Sequence, residues 1–297
     1  MMLLSPPSSL KPHLSLQWLG LLLGTIALLI CFIYSITLGA RDIPLPIILK
    51  SFITFDQSFD HLVIQTVRLP RSLMAMAVGA ALAVSGAVMQ GLTRNPLAET
   101  GILGIEAGGS LAVVLTLFMF GSASLSVYAG AAFLGAAIAA VTVYALGTLG
   151  RGGATPLNLT VAGAAMTAFI ASITTSILIV SQRTLDEIRF WLAGSLSGRD
   201  FDLFLQVLPL LLSGLLLAFL LGRQITTMSL GEDIAKSLGQ QTVWIKVLAA
   251  LSVVLLAGSS VAIAGPIGFI GLVVPHMVRF FIRTDYRWIL PYAAVLG

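Results

Sequence analysis

Of 297 residues, only 9% are charged and 58% are hydrophobic, and the mean hydropathy is +1.02. A soluble domain carries ~25% charged residues, so this chain has too few charges to coat a water-facing surface, and lipid must be its main solvent. The formal charge of +4 reads as positive charge held at one membrane face and not as a nucleic-acid footprint.

Residues 1–13 are rich in Pro and Ser and read as a short cytoplasmic tail. Leu14 to Leu38 is too long for a signal-peptide core of ~7–15 residues and is expected to be the first span. The lone cysteine, Cys31, lies inside it, so no intrachain disulfide is possible. Arg41 to His61 is polar, is interrupted by Pro44 and Pro46, and is expected to be an external loop.

Arg68-Leu-Pro-Arg71 then opens a run of 22 uncharged residues, Ser72 to Thr93. That length crosses a bilayer core at ~1.5 Å per residue. Ala75, Gly79, Ala83, Ala87 and Gly91 recur at every fourth position, a flat stripe against which another helix can pack closely. Arg94-Asn-Pro-Leu-Ala-Glu99 closes the run.

The uncharged residues Ala107 to Gly150 are enough for two spans, with a turn at Gly121–Ser126. Another span starts near Pro156 and ends by Gln182. Ser181 to Asp202 is a charged loop with one short amphipathic helix around Phe190-Trp191, and Leu203 to Gly222 spans again. Arg223 to Gln241 is polar. Val247 to Val278 is uncharged, but Gly265-Pro-Ile-Gly-Phe-Ile-Gly271 must break it into two spanning segments. Trp288 to Gly297 reads as the start of a ninth span. The expected fold is therefore an all-α, polytopic membrane helical bundle, one transmembrane domain over residues 14–297 with eight full spans.

With the amino terminus inside, alternation places Lys11, Arg94, Arg151, Arg223, Lys236, Lys246, Arg279, Arg283 and Arg287 in the cytoplasm. That is nine of the 16 basic residues and agrees with the positive-inside bias.

Residues capable of chemistry are few. His13, His61 and His276 are far apart, and no His/Cys group has metal-ligand spacing. None of the four lysines follows a glycine, so the chain has no Walker A loop, and any ATPase must be a separate polypeptide. An ion-coupled transporter needs ionisable residues near mid-membrane, and the long uncharged runs hold none. An intramembrane enzyme needs a nucleophile–base pair, and His276 has no such neighbour in sequence.

Three further segments stand out. In Ser229-Leu-Gly-Glu232-Asp233-Ile-Ala-Lys-Ser-Leu-Gly239, two acids favour the start of a short helix and Gly239 its end. The segment is either a docking knob for a partner or a surface turn. Thr160, Thr167 and Thr174 recur at seven-residue spacing, as lining of a weakly polar route or as interhelical hydrogen-bond formers. Glu106 is either a functional acid or a helix-dipole partner.

Arg68-Leu-Pro-Arg71, Gly86-Ala-Val-Met-Gln-Gly91, Asn95-Pro-Leu-Ala-Glu99, the Leu-Gly-containing cytoplasmic helix and Gly265-Pro-Ile-Gly-Phe-Ile-Gly-Leu-Val-Val-Pro-His276 together resemble the FecCD family. Its members are permease subunits of binding-protein-dependent ABC importers for iron-siderophores, haem and vitamin B12. The resemblance runs from the first span to the end of the chain. It implies a ten-span permease subunit, of which the last span and a half would be missing here, in the cell (inner or plasma) membrane of a prokaryote. It implies a second permease subunit, as homo- or heterodimer, two ATPase subunits and an extracytoplasmic substrate-binding protein. No cofactor would be bound by this chain, and ATP-Mg would sit on the ATPase. Position by position, it implies binding-protein docking at Arg68 and Arg71 and a cytoplasmic gate at Asn95 and Leu97 with Thr155 and Pro156. ATPase coupling would fall to the Glu232–Gly239 helix through Glu232, Asp233, Ala235, Leu238 and Gly239. Cargo would pass along the permease dimer interface, a route to which the Thr160, Thr167 and Thr174 face is assigned. Iron-siderophore is the expected cargo, ahead of vitamin B12 or haem.

Overall fold

The structure is a computed structural model that describes residues 14–39, 41–121, 123–149, 155–282 and 284–297. The expected amino-terminal tail, Arg151 and Arg283 lie outside the described residues. Within them every regular element is helical: α1 Leu14–Thr37, α2 Leu45–Ile53, α3 Phe59–Val63, α4 Leu69–Thr93, α5 Ile105–Phe120, α6 Leu125–Leu149 and α7 Pro156–Val180. The chain continues through α8 Gln182–Leu192, α9 Phe201–Leu220, α10 Gly222–Ser229, α11 Glu232–Ser237, α12 Thr242–Ala264, α13 Ile270–Phe281 and α14 Tyr286–Leu296. A π-turn at Ile64–Arg68 joins α3 to α4 in one 35-residue helical stretch. Six helices are long and apolar enough to cross a membrane: α1, the α3–α4 stretch, α6, α7, α9 and α12.

The other two of the expected eight apolar segments are shorter helices, α5 and α13. The turn near residue 121 falls where the sequence puts it, but α5 has only 16 residues, ~24 Å at ~1.5 Å per residue. The segment after the Gly-Pro break, α13, has 12, or ~18 Å. Both are apolar and shorter than the other six, because a 3-10 turn takes Thr100–Leu103 before α5 and residues 265–269 before α13 are not helical. Arg41 to His61 is also not a plain loop. Pro46 lies at the second position of α2, where its missing N–H costs nothing, so it helps to start a helix. Pro70, by contrast, lies inside a continuous helical stretch, directly after the π-turn.

The centre of the bundle is α4 and α12, whose spans are 72% and 67% buried, against 6% for α1 and 11% for α7. Small residues account for the close packing. A Cβ added to Gly86 would fall on the Gly271 carbonyl, so α4 and α13 cross in backbone contact. Gly79 and Ala83 of the four-residue stripe face Gly297 after α14, and Gly91 leaves room for Ile225 and Tyr286. Ala75, the first member of the stripe, is exposed.

α1 lies at the periphery and is fastened by a few polar ties. The Tyr292 hydroxyl donates to the Gln17 carbonyl at 2.7 Å, Trp18 meets Trp288 edge-on with centroids 4.9 Å apart, and Ser35 and Ser72 share a 2.8 Å hydrogen bond. At the same end as Ser72, the loop after α8 is stitched to the end of α12. Ser195 N–H donates to the Ala264 carbonyl (2.8 Å), and Arg199 Nε donates to the Ser195 carbonyl (2.7 Å).

Candidate functional site

The two ends of the bundle carry different chemistry. At one end, Arg68 and Arg71 flank Pro70. Arg68 points back onto the carboxyl end of α1: Nη1 donates to the carbonyls of Ile36 and Thr37, at 2.8 Å each, and Nη2 donates to the Arg41 carbonyl. The Ile36 and Thr37 carbonyls belong to the last turn of α1, so the guanidinium caps that end, together with Ile43 N–H, which also donates to the Thr37 carbonyl at 3.1 Å. Arg71 is exposed.

At the opposite end, Arg94 takes a left-handed conformation (φ 51°) that ends α4. Asn95 Oδ1 accepts from Leu97 N–H at 3.0 Å, and Ala98 N–H returns to the Asn95 carbonyl at 3.1 Å. This side chain-closed turn leaves Leu97 69% exposed over a fully buried Ala98. Thr155 caps α7 by accepting from Asn158 N–H at 3.2 Å; the Pro156 side chain is outside the described set. Thr93, Arg94, Asn95, Pro96, Leu157 and Thr160 line one cleft, so the structure brings the Asn95 turn and the start of α7 together.

α11 sits beside them, and Gly231 leads into it with φ +134°, a value only glycine adopts readily. Gly239 (φ +79°) ends it: Gln240 N–H reaches the Ala235 carbonyl at 2.9 Å and Gly239 N–H the Lys236 carbonyl at 2.9 Å. Ala235 is fully buried against Met228 and Ile245. Glu232 fastens the helix to α12. Its Oε2 takes a 2.7 Å ion pair from Lys246, and its Oε1 meets Lys236 at 3.2 Å and accepts from the Thr242 hydroxyl at 3.2 Å. The hydrogen bond from Lys246, followed by that from Lys236, outweighs partial burial and holds the carboxyl down to about 2. Asp233 is exposed. Around this rigid knob, Leu230, Ile234, Leu238, Val243 and Trp244 present large apolar side chains outward.

The threonine stripe is divided by the fold. Thr160 lines the cleft above. Thr167 is turned inward, its hydroxyl buried near the α5 start at Gly104 with no partner. Thr174 donates to the Ile170 carbonyl of its own helix at 2.9 Å. The open face of α7 instead carries Ala164, Ala168, Ala171, Ser172, Thr175 and Ser176. A seven-residue repeat places three hydroxyls on one face but does not say which way that face looks. Glu106 lies in the first turn of α5 and accepts from the Thr100 hydroxyl at 3.3 Å, which agrees with the dipole reading.

One cluster has no signal in the sequence. Gln90 on α4, 2% exposed, accepts from Arg279 Nη1 at 2.6 Å and offers its amide to the carbonyls of Gly271 (3.3 Å) and Leu272 (3.4 Å). Arg279 Nη2 donates to the Tyr286 hydroxyl at 2.9 Å, and Tyr286 N–H donates to the Thr226 hydroxyl at 2.8 Å. The partners lie up to 189 residues apart.

No group of three or more His, Cys, Asp or Glu that could hold a metal occurs among the described residues. The architecture is that of a multi-pass membrane transport protein with a capped, apolar knob at one end. The FecCD transport family model matches residues 27–297, and the chain belongs to that family. Its relatives include the Bacillus subtilis permease YfiZ, assigned to a siderophore transport system (45% identical, 95% of this chain and 85% of the relative). They also include the ferric enterobactin transport system permease FepD of Escherichia coli (41%, 92% and 80%). A solved structure described as an inward-facing conformation of a metal-chelate type ABC transporter matches with TM-score 0.79 and 26% identity, covering 95% of this chain and 86% of the other.

Proposed function

We propose that this chain is the membrane-spanning subunit of an ATP-driven importer that receives an iron-siderophore chelate from a substrate-binding protein and releases it into the cytoplasm. The observation that carries the reading is α11: a six-residue helix, capped by glycine at both ends, pinned through Glu232 to α12 and crowned by exposed apolar side chains, in a member of a transport family. A pinned knob passes force, whereas a loose loop would absorb it. ATP-Mg is bound by a separate ATPase pair that grips this knob through Asp233, Leu238 and their neighbours. Arg71 meets a carboxylate on the binding protein, as a planar, permanently charged fork suits. The Asn95–Leu97 turn and the start of α7 form the gate, and a second permease copy or homologue faces the open side of α7.

The amino terminus is cytoplasmic in this scheme. Support comes from the grouping of Arg94, Arg223, Lys236, Lys246, Arg279 and Arg287 at the α11 end of the bundle. Chelate cargo is favoured by the relatives' names, which include an Fe(3+)-hydroxamate import permease of Bacillus subtilis (42% identical). A hemin transport permease of Yersinia pestis is 39% identical over 78% of this chain, so haem is the competing cargo.

The test is reconstitution in vesicles with the cognate ATPase and binding protein, supplied in turn with radioiron-loaded siderophore and with haem. ATP-dependent siderophore uptake is expected. Uptake that persists without nucleotide, or none with it, removes the proposal.

A further inference from the structure

We propose that Arg279 is a positioning residue that ties the α10–α11 segment to the crossing of α4 and α13, so that displacement of the coupling knob reaches the spanning core through it. This rests on the importer-permease reading above. The argument begins with Pro275. A proline inside α13 has no N–H to give the carbonyl four residues back, which is that of Gly271. The carbonyl is buried at the backbone contact with Gly86, where water cannot replace the missing donor. The Gln90 amide fills the gap, and shares itself with Leu272. Gln90 is thereby oriented, because its Nε2 must face α13 and its Oε1 must face away. Arg279 meets that oxygen at 2.6 Å.

From Arg279 the chain of bonds runs to the coupling side. The guanidinium binds the Tyr286 hydroxyl, and the Tyr286 ring fills the space that Gly91 leaves on α4. Tyr286 N–H binds Thr226 on α10, whose hydroxyl also donates to the Gly222 carbonyl at 2.8 Å. α10 runs into α11 through Leu230 and Gly231, with Gly231 N–H on the Met228 carbonyl at 3.1 Å. This path links the knob to the α4–α13 crossing, beside the direct tie that Glu232 makes to α12.

The partners of Arg279 matter. Among the described residues it forms no ion pair; Asp285, its nearest acidic neighbour in sequence, is paired with Arg287 at 2.8 Å. A guanidinium held by an amide oxygen and a phenol is ordered but releasable. A buried carboxylate in their place would leave an uncompensated charge whenever the tie opened. Such a tie suits an element with two positions better than a permanent clamp does.

The test uses the complete reconstituted importer and reads cargo moved per ATP hydrolysed, together with assembly of the complex. Arg279→Met is expected to assemble and to hydrolyse ATP while cargo per ATP falls ~10-fold or more, the size of a typical intersite coupling. Tyr286→Phe keeps the ring and loses only the hydroxyl, and is expected to shift the ratio the same way by less. Arg279→Lys, whose ammonium can still reach the Gln90 oxygen, is expected to recover part of the loss. Arg223→Gln, an exposed side chain at the same end that makes none of these bonds, is expected to match wild type. A wild-type ratio in Arg279→Met overturns the inference. So does failed assembly of Arg279→Met beside a wild-type ratio in Tyr286→Phe, which would make the cluster purely structural. If the wild-type complex itself moves no cargo on ATP, the permease reading fails and takes this inference with it.

Discussion

Arg68 and Arg71 stand less than one helical turn apart, yet their guanidinium groups meet different fates. Arg68 is committed to three backbone carbonyls at the end of α1 and the loop after it. Removing it takes a charged donor from the end of α1 at a cost of ~1 kcal/mol, although Thr37 keeps its bond from Ile43 N–H. Arg68→Ala is therefore expected to lower the melting temperature in detergent, while Arg71→Ala leaves it unchanged; equal stability of the two would contradict the capping role. Arg71→Glu is expected to weaken binding-protein docking most at low salt, where charge pairing is least screened. Docking that ignores both the charge reversal and the salt would remove Arg71 from that surface. Glu232 gives a pH prediction. Its folded value is depressed to about 2 from 4.5, so the tie it makes is fully present above 4.5 and is lost as the pH falls toward 2. Amide exchange in α11 should be flat from pH 7 to 4.5, after correction for intrinsic rates, and should rise below that. Glu232→Gln at pH 7 should mimic the acid form, loosening α11 by up to ~1 kcal/mol, as expected for a partly exposed ion pair.

At the scale of helices, the decisive contacts are those where backbone meets backbone. Gly86→Leu should be severe, costing ~2 kcal/mol or more in overpacking, because neither the Gly271 backbone nor α4 can give way. Gly130→Ala on α6, where an added Cβ meets nothing within 4 Å, should stay within ~0.5 kcal/mol of wild type. Comparable melting shifts for the two would show that the crossing is looser than described. The sequence made much of this scale legible. Charge positions bracketed α4 and α9, and Gly239 ended α11 where its left-handed conformation is needed. The Gly265–Gly271 stretch broke the last long run. It misread Pro46, because a proline that starts a helix and one that interrupts a loop look alike without the backbone. It did not show that α5 and α13 are short, because an absence of charge does not reveal how many residues the connections beside them consume. It said nothing of Gln90 with Arg279, since two polar side chains 189 residues apart leave no periodic trace. For the same reason Thr167 carried no sign of being turned inward while Ser172 faces out.

For the molecule as a whole, burial is uneven in a way that serves transport. The heart is α4 with α12, while α7 turns a small, hydroxyl-bearing side outward. Cysteines placed singly at Ser172 or Thr175 are expected to form crosslinks between permease copies in membranes. Cysteine at Leu205, exposed on α9, is expected not to do so, and the reverse pattern would move the second subunit to another face. The position of α1 has a consequence for biogenesis. This helix is made long before its main partner, α14, joined to it by the Tyr292–Gln17 bond across 275 residues of sequence. While the intervening chain is made, α1 is held through Ser72 and Arg68 at one end, and its Gln17–Gly24 flank waits in the bilayer. A nascent permease stalled before Tyr286 lacks the Tyr292–Gln17 tie, and the unpartnered flank of α1 gives membrane quality-control proteases a simple sign of an interrupted chain.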